Sequence, residues 1–302
     1  MKKVIKRWIL PLILSILFSI IIFLLIKNNI FRINGDSMYP TVRGGDVVFV
    51  KKINKINIGD LVMVSNPLQT KNTDMSKFLS LKRCVGLPGD SIQIYQKRLY
   101  RNGILQKSDY CSFYKKVRIF SKEEIELAKN HYKIISDSSY LINSLVIVPE
   151  QEMKKISEEG KLKHISDDII SKDLHDYCLF PYSHVVNWNR DYYGPLLIPK
   201  KGLNIKLSVF NYVYYKFLID NFENHKIEYK NNKFYVDGVL SENYTFKNDY
   251  YFVLNDFRDN PSDSRTFGPV PKNHIYATAK RFITKTNSEG SSIFSKTLSV
   301  IE

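Results

Sequence analysis

The sequence predicts a mainly β protein: an antiparallel β core after one N-terminal transmembrane helix, with an α+β insertion in mid-chain. Three observations predict it. Residues 8–26, WILPLILSILFSIIIFLLI, carry no charge, and such a run spans roughly 28 Å as a helix, close to the hydrocarbon thickness of a bilayer. Beyond it, short apolar runs are entered from Gly-Asp turns, which is the punctuation of strands. Two tight-turn dipeptides, Asn102-Gly103 and Asp237-Gly238, each follow a short β-like run, as hairpins require.

The elements follow in order. Lys2, Lys3, Lys6 and Arg7 precede the apolar run. By the positive-inside bias, residues 1–7 stay in the cytoplasm and the chain after about residue 27 lies outside, on the periplasmic side of the inner membrane. A cleavable signal peptide would have a shorter apolar region ending in small residues. Here KNNIFRING follows without an A-x-A, so an uncleaved anchor is expected. Pro11 falls in its first turn, where a kink is tolerable.

VVFV (47–50) follows Gly45-Asp46, LVMV (61–64) follows Gly59-Asp60, and LSLKRCVG (79–86) ends at Leu87-Pro88-Gly89-Asp90. All three read as buried strands. LYRNGIL (99–105) and FYVDGVL (234–240) repeat an aromatic, a turn dipeptide and two apolar residues, after SIQIY and KIEYK respectively. They predict two similar hairpin units flanking an insertion. In that insertion, Ser121-x-x-Glu124 is a capping box ahead of a helix over IELAKNHYKII. Pro149-Glu150 start a second helical stretch that stops near Gly160, and 166–177 is a third. The aromatic-, Pro- and Gly-rich segment 178–202 is expected to be irregular. SVFNYVYYKFLIDNF (208–222) has helical periodicity with one buried face. YYFVLN (250–255) and HIYATAKRFIT (274–284) are the last strands, and the Ser-rich tail 286–302 is expected to be loose. The expected layout is a basic N-terminus 1–7, an anchor 8–26, a core in two parts (27–110 and 201–285) around the insertion 111–200, and a tail 286–302.

The 302 residues hold 45 Lys+Arg against 30 Asp+Glu, a net charge of +15. That charge suits nucleic acid or an anionic membrane surface, and the apolar run decides for membrane, with no nucleic-acid partner. With 44% hydrophobic and 13% aromatic residues, a disordered chain is excluded. Cys84, Cys111 and Cys178 form no C-x-x-C, and no H-E-x-x-H occurs. Neither a disulfide framework nor a metal site is expected, and no cofactor.

Three segments carry chemistry: INGDSMYPTVRGGDVVFV (33–50), SLKRCVGLPGD (80–90) and LNDFRDNPSDSRTFGPVP (254–271). Ser37 precedes a Pro-containing turn that would expose its hydroxyl, outside any G-x-S-x-G elbow. No histidine stands in a triad context, so a lysine base is the natural partner. Lys82 lies in an apolar strand, where alternation turns it and Arg83 to opposite faces. Burial penalises the ammonium and lowers its pKa toward the working range of a base. Ser112-x-x-Lys115 has the S-x-x-K spacing of penicillin-binding enzymes, but no S-D-N or K-T-G follows, and the match is read as coincidental.

In order and placement, just after an anchor, the three segments resemble the signatures of bacterial type I signal peptidases: G-x-S-M-x-P-T, K-R-x-x-G-x-P-G-D and G-D-N-R-x-N-S-x-D-S-R. The resemblance covers most of the chain outside 111–200. It implies a signal-peptidase-like antiparallel β catalytic core and a serine endopeptidase that cleaves signal peptides from exported preproteins. Ser37 would be the nucleophile and a backbone oxyanion donor, and Lys82 the general base. Ile33, Asn34, Gly35, Met38 and Leu81 would line shallow pockets for small side chains. Arg83, Asp256, Arg258, Asp263 and Arg265 would form an ion-pair network holding the catalytic strands. The lipid bilayer and the vicinity of the translocation machinery are the implied surroundings.

Four positions depart from the pattern. Gly35 stands where a hydroxyl residue often completes the oxyanion hole. Asn255 replaces a glycine beside the lysine and is expected to crowd it. Phe257 replaces an asparagine. Pro261 replaces a serine that orients the lysine, with Ser262 or Ser264 as candidate substitutes. The departures keep a second reading open, a catalytically impaired relative acting as a membrane-tethered binding protein. A self-cleaving regulator is less favoured, because an anchor stands in place of a DNA-binding domain. About ten residues separate the anchor from Ser37, a reach of at most roughly 35 Å, so Ser37 is expected near the outer membrane–water boundary. Activity is expected to rise with pH through about 8–9 as Lys82 loses its proton.

Overall fold

The computed structural model describes residues 11–19, 29–53, 55–68, 79–107, 110–117, 133–134, 144–153, 165–283 and 299–300. The strands in chain order are β1 Ile30–Arg32, β2 Val47–Lys52, β3 Leu61–Ser65, β4 Leu79–Gly86, β5 Ser91–Tyr95, β6 Arg98–Arg101 and β7 Ile104–Leu105. Next come β8 Ser112–Val117, β9 Lys133–Ile134, β10 Ser144–Pro149, β11 Ile165–Asp167, β12 Tyr192–Leu197 and β13 Asn204–Lys206. After the helix Val209–Phe222 follow β14 Ile227–Lys230, β15 Lys233–Val236, β16 Val239–Leu240, β17 Asn243–Thr245 and β18 Tyr250–Leu254. A short helix Ser264–Phe267 leads to β19 Val270–Pro271, β20 Ile275–Ile283 and β21 Ser299–Val300. The protein is mainly β, as expected.

The principal sheet has eight strands in the order β1-β2-β20-β3-β4-β18-β19, with β21 on β20. Every residue of β3, entered from Gly59-Asp60, and of β18 is buried, whereas β2, entered from Gly45-Asp46 and expected to be buried, alternates buried Val48 and Val50 with half-buried Val47 and Phe49. β4 lies between β3 and β18, with Val62 opposite Lys82 and Leu254 opposite Arg83. Both hairpin dipeptides are tight turns. β5-β6-β7 and β14-β15-β16 are antiparallel three-stranded meanders. All four two-residue turns (Gln96-Lys97, Asn102-Gly103, Asn231-Asn232, Asp237-Gly238) have positive φ at both residues, the backbone that matches strand twist.

Ser208 caps the helix Val209–Phe222, its hydroxyl accepting from the Asn211 N–H. Tyr215, Leu218 and Ile219 are buried in an aromatic-rich core with Phe246, Tyr250 and Phe252. The predicted stripe fails at its start, where Val209 and Phe210 are exposed. The segment 178–202, expected to be irregular throughout, contains β12, which pairs with β5. The helix expected over 166–177 is absent. Residues 165–167 are strand, and the loop beyond is held by side chains: Asn189 Nδ2 donates to the carbonyls of Ser171 and Leu174, and Asp191 accepts from the Ile170 N–H. Pro149 ends β10, and residues 150–153 are helical; the rest of that stretch lies outside the described residues. So does most of the capping-box helix, although Lys133–Ile134 at its end is strand. In the tail, Ser299–Val300 pairs with β20 rather than lying loose. Of the apolar run 8–26, residues 11–19 are helical and exposed, and the remainder lies outside the described residues. Among those described, no helix is long and apolar enough to cross a membrane.

Candidate active site

Ser37 is half-buried in a turn closed by two backbone bonds, Tyr39 N–H to the Asp36 carbonyl at 3.0 Å and Val42 N–H to the Met38 carbonyl at 3.0 Å. Met38 drives into a core shared with Ile33, Val42 and Leu81, which leaves the preceding serine at the rim. Leu81 is the residue before Lys82, so this one apolar cluster carries the neighbours of both dyad candidates.

Lys82 is 3% exposed, and its Nζ donates to Asn255 Oδ1 at 2.7 Å. Burial pulls its pKa down to about 8; Asp263 opposes the shift and Arg265 adds to it. The cause is desolvation of a cation with no carboxylate within 4 Å among the described residues. Two residues beyond Asn255, the Phe257 N–H donates to the Ser37 carbonyl at 3.0 Å. One short stretch, 255–257, therefore touches the lysine at one end and the serine's turn at the other.

The stretch is fixed by two buried arginine–carboxylate pairs. Arg83 meets Asp256 bidentately, Nε at 2.7 Å and Nη2 at 2.6 Å, and gives Nη1 to the Gly59 carbonyl at 2.9 Å. Thr41, at the end of the serine's turn, donates to Asp256 Oδ2 at 2.5 Å. Each of the three sequence segments thus supplies one member of this node. Arg265 forks onto Asp263 at 3.0 and 2.7 Å and ties the loop through the carbonyls of Arg258 and Asn260. Arg258 departs from the expected network. It is buried but has no carboxylate within salt-bridge distance among the described residues, and its guanidinium lies 5.9 Å from the centre of the Tyr110 ring. The tyrosine face takes the place of an acid there.

The pocket candidates divide. Ile33, Met38 and Leu81 come together as core, while Asn34 and Gly35 are exposed. Gly35 has φ +75° and open space around a built Cβ, so backbone conformation, not crowding, favours glycine there. Asn255 does not crowd Lys82; it is the lysine's hydrogen-bond partner. Neither candidate substitute for the serine missing at Pro261 reaches the lysine: Ser264 Oγ accepts from the Val253 N–H at 2.9 Å, and Ser262 is exposed. Sequence reasoning set Ser112 aside with a coincidental S-x-x-K match and missed its place beside the serine's turn: its hydroxyl donates to the Tyr39 carbonyl at 2.8 Å while its backbone brackets 256–258. No local pattern marks that pairing.

The family model for signal peptidase, peptidase S26, matches residues 5–153 and 223–283, well over half of the chain. Signal peptidase I T of Bacillus subtilis (strain 168) is 33% identical over 109 residues, which cover 34% of this chain and 53% of that protein. Signal peptidase I S of the same strain is 35% identical over 118 residues, 37% of this chain and 59% of that protein. Signal peptidase I P of Bacillus subtilis subsp. natto is 26% identical over 185 residues, 57% and 88% of the two chains. The chain thus spans little more than half the length of the first two relatives.

Proposed function

This chain belongs to the signal peptidase (peptidase S26) family, and we propose that it is a membrane-anchored serine endopeptidase that removes signal peptides from exported preproteins. In this reading residues 8–26 anchor the chain in the cytoplasmic membrane, and the catalytic core works on the outer face, near the translocation machinery. The observation that carries the proposal is the 255–257 stretch, which bonds Lys82 at Asn255 and the turn of Ser37 at Phe257.

The chemistry follows from the lowered amine. With a pKa of about 8, roughly a tenth of the lysine is neutral at pH 7, against well under a thousandth for a free lysine. The neutral Nζ accepts the proton of the Ser37 hydroxyl as Oγ attacks the scissile carbonyl. The Ser37 backbone N–H donates to the developing oxyanion. Lys82 then returns the proton to the leaving amine, and water, deprotonated by the same lysine, releases the acyl group from Ser37. Small side chains before the cut would enter the region of Ile33, Asn34, Gly35, Met38 and Leu81. The basic excess favours anionic headgroups around the core.

The second reading, an impaired relative that binds without cutting, draws on one contact: the Lys82 amine donates to Asn255, and among the described residues no hydrogen bond joins it to Ser37. Cleavage of a preprotein whose signal ends in Ala-x-Ala, by the full chain in vesicles, separates the two. Cleavage by wild type and none by Ser37→Ala is the expected result. Equal cleavage by both would discard the dyad, and none by either would favour the binding protein.

A further inference from the structure

We infer that Asn255 is the positioning residue for Lys82, taking one amine hydrogen on its side-chain oxygen and thereby directing the remaining lone pair toward Ser37. The inference rests on the dyad reading above. A lysine side chain has four flexible methylene links and no preferred direction of its own. A neutral amine keeps two hydrogens and one lone pair, so a single fixed acceptor holds one N–H and leaves two orientations, one of which presents the lone pair to the serine without consuming the basic site.

Asn255 is built as such an acceptor. Its Nδ2 donates to the Asn260 carbonyl at 2.9 Å and lies 3.4 Å from the Ser262 carbonyl. Carbonyls only accept, so the amide cannot be reversed, and Oδ1 must face Lys82. Its backbone N–H donates to Asp263 Oδ2 at 3.0 Å, and that carboxylate is locked by Arg265. The residue is fully buried. An acid here would pair with the ammonium and stabilise the inactive cation, whereas a neutral amide orients the amine without that penalty. The charged groups acting on Lys82 are Asp263 and Arg265, which oppose one another. β3 brings no charge, and Arg83 on β4 is taken up by Asp256. Asn255 thus fills the orienting role that Pro261 cannot.

The test measures preprotein cleavage by the full chain in phosphatidylethanolamine–phosphatidylglycerol vesicles from pH 6 to 10. Asn255→Ala should lower kcat about a hundredfold with KM within about twofold, the signature of a misdirected base. Asn255→Asp, nearly isosteric, should move the rising limb upward by at least about one pH unit. Wild-type kcat and limb in both variants overturn the inference, as does a rise in KM that accounts for the whole loss with the limb unmoved. If Asn255→Ala fails to fold, the limb of Asn255→Asp decides alone. Ser37→Ala is run alongside: its retaining activity sinks the dyad reading, while its loss with Asn255 variants unchanged sinks only the role of Asn255.

Discussion

Ser37 and Lys82 stand beside Ser112 and Lys115 as two serine–lysine sets in one fold, with both lysines 3% exposed. They differ in their partners. Lys115 pairs with Asp167 and lies 3.7 Å from Glu150, and Ser112 spends its hydroxyl on the Tyr39 carbonyl. Among the described residues Lys82 has only an amide as hydrogen-bond partner, and the Ser37 hydroxyl makes no hydrogen bond. Burial is therefore not what readies a lysine for proton transfer. What matters is burial without a carboxylate in direct contact, because desolvation then outweighs the opposing pull of Asp263 on Lys82. In the proposed reading the S-x-x-K set is a strut, and the set split between two distant segments is the reactive one.

The largest effect should separate the two lysines by activity. Lys82→Met is expected to reduce preprotein cleavage by about 10⁴-fold or more, the scale of losing a catalytic base. Lys115→Met should leave kcat/KM within a few-fold. Equal losses in both would erase the distinction.

The pH profile sharpens it next. Activity should rise as pH passes about 8, the value to which burial lowers the Lys82 amine, since in the proposed dyad the neutral amine is the base. Lys115→Met should leave that limb where it is. A rate flat from pH 6 to 10 would argue against a lysine base.

Stability should move in opposite directions. Between about pH 8 and 10.5 the unfolded chain holds a proton on residue 82 that the folded chain has lost. Lys82's contribution to stability therefore rises with pH across that window, and its penalty is full below pH 8. Lys82→Met relieves a penalty of roughly 3 kcal/mol and loses the bond to Asn255, for a net gain of about 1–2 kcal/mol at pH 7. Lys115→Met strands the partly exposed Asp167 carboxylate, while Glu150 keeps Arg98, and should cost about 2 kcal/mol. Denaturant titration of the full chain in detergent at pH 7 and pH 10 measures both, and the Lys82→Met gain should shrink at the higher pH.

The legibility of these features follows their range. Strands entered from Gly-Asp turns and hairpins at Asn102-Gly103 and Asp237-Gly238 were readable because local backbone preference decides them. The three segments were readable in order, and within the expected ion-pair network Arg83 does join Asp256. The loop after β11 was misread as helix because its order comes from Asn189 and Asp191, distant side chains that bond its backbone. The partnership of Asn255 with Lys82 was misread as crowding because the amide's direction is set by the Asn260 carbonyl, inside a loop that Arg265 closes. Residue type alone does not encode such tertiary acceptors.

The smallest expected effect concerns Ser112. It is fully buried, and its N–H and carbonyl bond to Asp256 and Arg258 through the backbone, which survives any substitution that keeps the strand. Only the hydroxyl bond to Tyr39 would be lost in Ser112→Ala, so the cost should be about 1 kcal/mol. The turn that carries Ser37 keeps two other ties, Thr41 to Asp256 and Phe257 to the Ser37 carbonyl. Cleavage should then fall by no more than about tenfold, with the pH limb unmoved, because nothing touching Lys82 has changed. A loss as deep as that of Ser37→Ala would mean that the Ser112 hydroxyl takes part in the chemistry, and the contrast between a strut and a reactive set would fail at its serine rather than at its lysine.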